Sequence, residues 1–122
     1  LEKPHKRLQV WQAAVDLAVH FHEATRRFPS SSRFELASQM NRAALSVPSN
    51  IAEGAARKSR NEYLHFLYVA RASASELDTQ LEIARRLSFM SVENAEKLQS
   101  ELDRVAKMLN ALIRALCRSK AG

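Results

Sequence analysis

A chain of 122 residues, 46% hydrophobic and 26% charged, has room for one domain (1–122) around one core, and this composition excludes a disordered chain. Two glycines and three prolines are too few for the turns of an all-β protein, and the single cysteine, Cys117, excludes an intramolecular disulfide and zinc-ligand spacing. A formal charge of +6 and a pI near 10.0 admit an anionic partner, since clustered Lys and Arg displace counterions from phosphates, while the absence of an apolar run of about 18 residues or a signal core leads us to expect a cytoplasmic protein with no membrane partner.

From Gln9 to Phe28 the residues Val10, Ala14, Leu17, Phe21, Ala24 and Phe28 recur at spacings of four and three, which predicts a first helix over 8–28. Trp11, Val15, Ala18 and Val19 widen its apolar stripe beyond one buried seam, consistent with a second contact between subunits or with a place in the protomer core. After Pro29 and a serine run, Ser32-Arg33-Phe34-Glu35 reads as a capping box opening a second helix over 33–53. Leu36, Met40, Ala43, Val47 and Ile51 form its apolar face. Pro48 removes one helical hydrogen bond and crowds the Ala44 carbonyl, so this helix kinks or breaks near 46–49, and Gly54 is placed to end it in a left-handed conformation.

A second capping box, Ser59-Arg60-Asn61-Glu62, opens a third helix over 60–88, along which Tyr63, Leu67, Ala70, Ala74, Leu77, Leu81 and Ala84 keep the same periodicity. Its middle, Ala70 to Ser75, is rich in small side chains that let another helix approach closely. Ser91 caps a fourth helix over 92–118, with Ala95, Leu98, Leu102, Val105, Leu109, Leu112 and Leu116 on one face. Four long helices joined by short links predict an all-α, antiparallel up-down-up-down bundle.

In such a bundle the start of the first helix, the second link and the end of the fourth helix share one pole. That pole receives Lys3, Lys6, Arg7, Arg57, Lys58, Arg60, Arg114, Arg118 and Lys120 against Glu2, Glu53 and Glu62, so the formal excess of +6 falls at one end. Helix C-termini favour cations, which accounts for Arg114, Arg118 and Lys120 without a ligand. It does not account for Arg57, Lys58 and Arg60, which stand beside a helix start where positive charge opposes the dipole. Lys6, Arg7, Arg57, Lys58, Arg60, Arg114 and Arg118 are therefore the candidate nucleic-acid-binding residues. Most of Trp11, Phe21, Phe28, Phe66 and Tyr68 fall on or near apolar stripes, which favours phosphate contacts over base stacking.

Catalytic chemistry finds no support. Glu62 and His65 have the Glu-x-x-His spacing of di-iron bundles, but those sites need a second such motif and further carboxylates. His20 and His22, two apart on a helix, point in different directions and are read as partly exposed surface residues, and Cys117 is read as a small, at least half-buried core residue. No nucleophile elbow, phosphate-cradling glycine loop or zinc-peptidase motif is present. We expect no enzyme, metal or cofactor.

The segment Leu36-Ala37-Ser38-Gln39-Met40-Asn41-Arg42-Ala43-Ala44-Leu45-Ser46-Val47-Pro48-Ser49-Asn50-Ile51-Ala52-Glu53-Gly54 resembles the signature of the bacterial four-helix-bundle family encoded in 23S rRNA intervening sequences. Leu8 to Ala14 is similar to the family's opening helix, and Glu62-Tyr63 through Leu81 to its third. Ala72-Ser73-Ala74-Ser75 and Ala55-Ala56-Arg57 depart from more glycine-rich family patterns. The resemblance implies a four-helix protomer, a ring-shaped homopentamer, and a role in binding RNA or DNA. It also implies kinship with accessory partners of the reverse transcriptase in diversity-generating retroelements. The motif singles out Arg42, Ser46, Pro48, Asn50, Glu53, Gly54 and Arg57. A structural reading has Asn50 and Ser46 bonding the backbone freed by Pro48, and Glu53 pairing with Arg42, with Arg57 better placed for a ligand. The expectation is a basic ring holding RNA or DNA by phosphates; the alternative is a scaffold meeting an acidic protein or an enzyme such as a reverse transcriptase.

Overall fold

The computed structural model describes residues 3–30 and 33–118, with the side chains of Lys6, Arg7, Arg33 and Phe34 excepted. A 3-10 turn over Pro4–Arg7 leads through extended Leu8 into α1, Gln9–Thr25. Val10, Ala14, Leu17 and Phe21 are buried as their spacing requires, and Ala18 joins them inside the protomer. Trp11 and Val15 are half-buried, whereas Val19 is 49% exposed, so only part of the wide stripe remains uncovered.

Helix α1 stops three residues earlier than the periodicity predicts. The Thr25 hydroxyl donates to the His22 carbonyl at 3.1 Å, and the amides of Arg27 and Phe28 reach back only three residues, at 3.2 and 3.1 Å. These tighter bonds end the helix while keeping Phe28 in the core, its ring 5.3 Å from that of Phe89.

A wider, π-type turn over Arg33–Ala37 precedes α2, Ser38–Ala55. Ser32 of the expected capping box lies outside the described residues. Helix α2 runs through Pro48 without a break. Gly54 does not adopt a left-handed conformation, as no described glycine has positive φ; it lies inside α2 against α3, Arg60–Arg86. A Cβ added there would meet Tyr63 Cδ1 at 2.9 Å and the Tyr63 carbonyl oxygen at 3.1 Å. The glycine thus permits close helix approach rather than a turn.

Leu67, Ala70, Ala74, Leu77, Leu81 and Ala84 of α3 are buried as predicted, with Tyr63 half-buried. The helix ends in a Schellman motif: Ser88 carries φ 59°, its amide bonds Arg85 O at 3.0 Å, and the Phe89 amide bonds Ala84 O at 3.0 Å. Helix α4, Val92–Arg118, is capped by Ser91, whose hydroxyl accepts from the Asn94 amide at 3.1 Å. Toward its end the buried position is Ile113, and Leu112 and Leu116 are only partly buried, because a straight helix drifts off a strict seven-residue repeat.

The packing partners of α1 are α2 and α4, and those of α3 are again α2 and α4. Pairs across the α2–α3 seam run from Ser46–Ser73 to Gly54–Tyr63, and across the α3–α4 seam from Arg71–Asn110 to Asp78–Gln99. One number rises as the other falls, so neighbours are antiparallel. The protein is an all-α four-helix bundle, and all four helices contribute to one cluster that includes Leu17, Phe21, Met40, Ile51, Leu77 and Leu109.

Candidate nucleic-acid interface

The link between α2 and α3 is fixed at both ends. The Ala56 amide bonds Ala52 O at 3.3 Å and the Arg57 amide bonds Gly54 O at 3.0 Å, satisfying terminal carbonyls of α2. At the start of α3 the extended Ser59 accepts from the Glu62 amide at 3.1 Å, and its hydroxyl donates to Glu62 Oε1 at 3.2 Å. The capping box therefore closes through the serine hydroxyl rather than the serine amide. Glu62 is engaged there, and among the described residues no group of three or more His, Cys, Asp or Glu side chains is arranged to hold a metal. His65 is exposed and meets Phe66 edge-on, with centroids 5.2 Å apart.

This rigid link presents Arg57, Lys58 and Arg60. Arg57 is already partnered: its guanidinium lies 2.6 Å from Glu53 Oε2 and 4.8 Å from the Phe66 ring centroid. Glu53 therefore pairs with Arg57, one turn away, and not with Arg42, which lies eleven residues earlier on α2 and about 16 Å along its axis. Lys58 is exposed and Arg60 half-buried. On α4, Arg114 and Arg118 are exposed, and the Arg71–Asn110 register sets them opposite the first turns of α3, where Arg60 stands. The Pro4–Arg7 turn packs on α1 and α2 and carries the backbone of Lys6 and Arg7 to this end. The side chains of these two residues, and the whole of Glu2 and Lys120, lie outside the described residues.

The remaining motif residues form a polar bridge. Asn50 Nδ2 donates to Ser46 O at 2.8 Å and to Ser46 Oγ at 2.9 Å, and Ser73 Oγ of α3 donates to Ser46 Oγ at 2.7 Å. Asn50 thus bonds Ser46 rather than the Ala44 carbonyl that Pro48 leaves without its helical donor. Pro48 is buried and Arg42 exposed.

Two features escape the sequence reading. Tyr68 lies one residue off the buried seam, is 42% exposed, and has the Arg71 guanidinium 4.9 Å from its ring centroid, with Arg71 Nη1 3.4 Å from Asn110 Oδ1. The spacing of Tyr68 and Arg71, three apart on a helix, is the local signal for that pair. His20 Nδ1 lies 2.7 and 2.5 Å from the two carboxylate oxygens of Glu101, 81 residues away, a separation no local pattern encodes. The pair lines an open groove of about 390 Å³ between α1 and α4, beside Glu23, Arg27, Asn94 and Lys97. The hydrogen bond to Glu101, aided by the charges of Glu101, Glu23 and Asp16 and opposed by burial, raises the His20 pKa above its ordinary 6.5. His22, like His20, is exposed, and so is Cys117, contrary to the core position expected of it. No described helix is long and apolar enough to cross a membrane.

Comparison with known proteins agrees with this architecture. A family model described as 23S rRNA-intervening sequence protein matches residues 6–111. A crystal structure of a Bacteroides thetaiotaomicron protein, described as having unknown function and coming from the S23 ribosomal protein family, superposes with a TM-score of 0.81. The two sequences are 23% identical, and the match covers 86% of this chain and 95% of that one, a likeness of fold. A search among curated proteins finds no match.

Proposed function

We propose, starting from a chain that belongs to the family of 23S rRNA-intervening sequence proteins, that this bundle is a non-enzymatic cytoplasmic module that binds RNA or DNA through phosphate contacts at its basic pole. What carries the reading is the state of the charges there. Both described carboxylates of the pole are engaged, Glu53 with Arg57 and Glu62 with Ser59, whereas Lys58, Arg60, Arg114 and Arg118 make no ion pair among the described residues. Unpaired cations on a rigid frame attract a polyanion by counterion release, with little dependence on sequence.

Self-association into a ring, as a pentamer, multiplies this modest site by bringing several poles together. The apolar side chains left uncovered favour such a contact: Leu45, one turn beyond Asn41 on the α1-facing edge of α2, is 60% exposed, and Val19 is 49% exposed. The Leu45→Glu/Val19→Glu double variant is expected to elute as a smaller species in size-exclusion chromatography with light scattering. An unchanged mass places the subunit contact elsewhere.

The nucleic-acid reading is tested by titrating a labelled rRNA fragment and a matched DNA duplex across a salt series. The wild type is compared with Lys58→Ala/Arg60→Ala/Arg114→Ala/Arg118→Ala. Binding should weaken steeply with salt, and on duplex DNA the slope should flatten by roughly 0.9 for each phosphate contact removed. An unchanged slope, or no binding at low salt, overturns the reading. Association with a cellular partner that survives nuclease treatment would instead assign the pole to an acidic protein, including an enzyme such as a reverse transcriptase.

A further inference from the structure

The basic surface does not stop at the pole. On α3, Arg60, Leu64, Tyr68 and Arg71 recur at spacings of four, four and three and form one stripe, and the Arg71–Asn110 contact sets that stripe along the seam with α4. On α4, Lys107, Asn110, Arg114 and Arg118 form the facing stripe, and because the helices are antiparallel both stripes run to the same pole. From Arg104 to Arg118, α4 has no acidic residue. The acidic residues of this seam begin farther up, at Asp78 and Asp103, which Gln99 bridges at 2.7 and 3.0 Å. The α3–α4 face is therefore divided into a basic half nearest the pole and a mixed half beyond it.

Compensation of the helix dipole explains part of this. It acts within the last turn and covers Arg118, but Lys107 stands about three turns before the end of α4 and Arg71 lies in the middle of α3. It also gives no reason for a tyrosine in the middle of the basic half. Tyr68 is 42% exposed, and Arg71, whose guanidinium lies near the ring, is exposed as well. Together they place an exposed aromatic ring and a guanidinium in contact, with the basic side chains of Arg60, Lys107, Arg114 and Arg118 along the same seam.

We propose that this half-face is a binding strip for single-stranded nucleic acid, in which an unpaired base stacks on the Tyr68–Arg71 pair while Arg60, Lys107, Arg114 and Arg118 hold the flanking phosphates. The proposal rests on the phosphate-binding reading above and adds to it the class of strand. Aromatic rings and guanidinium planes accept any base that is free of its partner, whereas a duplex keeps its bases stacked internally and has none to offer. From Arg60 to Arg71 the strip is about 17 Å long.

The test separates stacking from charge. Fluorescence anisotropy at one fixed salt concentration compares four labelled probes of equal length: single-stranded RNA, single-stranded DNA of the same sequence, an abasic single strand and a duplex. The intact chain should bind a base-bearing single strand about tenfold more tightly than the abasic one. Tyr68→Leu, a substitution at an exposed position, should remove that preference without weakening the abasic complex, and Tyr68→Phe, which keeps the ring, should retain it. A preference for bases in either the RNA or the DNA arm supports the proposal, and the tighter arm names the source. Equal affinity for base-bearing and abasic strands, a preference that survives Tyr68→Leu, or one lost in Tyr68→Phe overturns stacking and leaves the phosphate reading standing. Absence of binding to every probe overturns both.

Discussion

Gly54 and Ser88 break the usual assignment of backbone roles in opposite ways. Alanine at position 54 gains about 1 kcal/mol of helix propensity, but its methyl group would lie 3.1 Å from the Tyr63 carbonyl oxygen, part of α3 and unable to swing aside as a side chain does. Overpacking outweighs the gain, so Gly54→Ala should destabilise the bundle by about 1–2 kcal/mol, read as a lower urea midpoint at unchanged m-value. Ser88, by contrast, occupies a left-handed conformation with φ 59°, where its Cβ meets the following carbonyl. Ser88→Gly relieves that strain and should stabilise by about 0.5–1 kcal/mol. A drop in the thermal midpoint would show that the serine side chain compensates for its backbone.

Helices α2 and α3 are held in register by a polar bridge: Ser73 of α3 donates across the seam to the Ser46 hydroxyl, which also accepts from Asn50 one turn away on α2. Asn50→Ala and Ser73→Ala should each cost about 1 kcal/mol, and the double variant should lose less than the sum, since both act through Ser46. Additive losses in urea denaturation would refute a shared bridge. The helices themselves were legible from the sequence because burial follows a period: Leu67, Ala70, Ala74 and Leu77 announce one face whatever they pack against. Ends and glycines were less so. Thr25 stops α1 through its own hydroxyl, Gly54 yields space to a ring nine residues away, and Glu53 finds Arg57 rather than Arg42. The basic pole followed from helix direction alone, whereas the Tyr68–Arg71 pair needed the knowledge of which side of α3 faces α4.

At the scale of the whole molecule, His20 and Glu101 join α1 to α4 across a seam that sequence neighbours do not share. Glu101, with Asp16 and Glu23, favours protonated His20, so the folded pKa lies above 6.5 while that of the unfolded chain does not. The stabilisation is therefore fully present below about pH 6.5 and is lost as pH rises through the raised folded value. The urea midpoint of the wild type should fall across that window relative to His20→Gln, and parallel pH profiles for the two would refute the linkage. The same seam has a kinetic consequence. Three seams of the bundle join helices adjacent in the chain and close short loops, but α1 and α4 meet only when the two halves of the chain are brought together, at the largest cost in loop entropy. That seam should form after the barrier to folding. Glu101→Gln should then accelerate unfolding and leave the refolding arm of the chevron in place, whereas Ser73→Ala, within the local α2–α3 hairpin, should slow refolding.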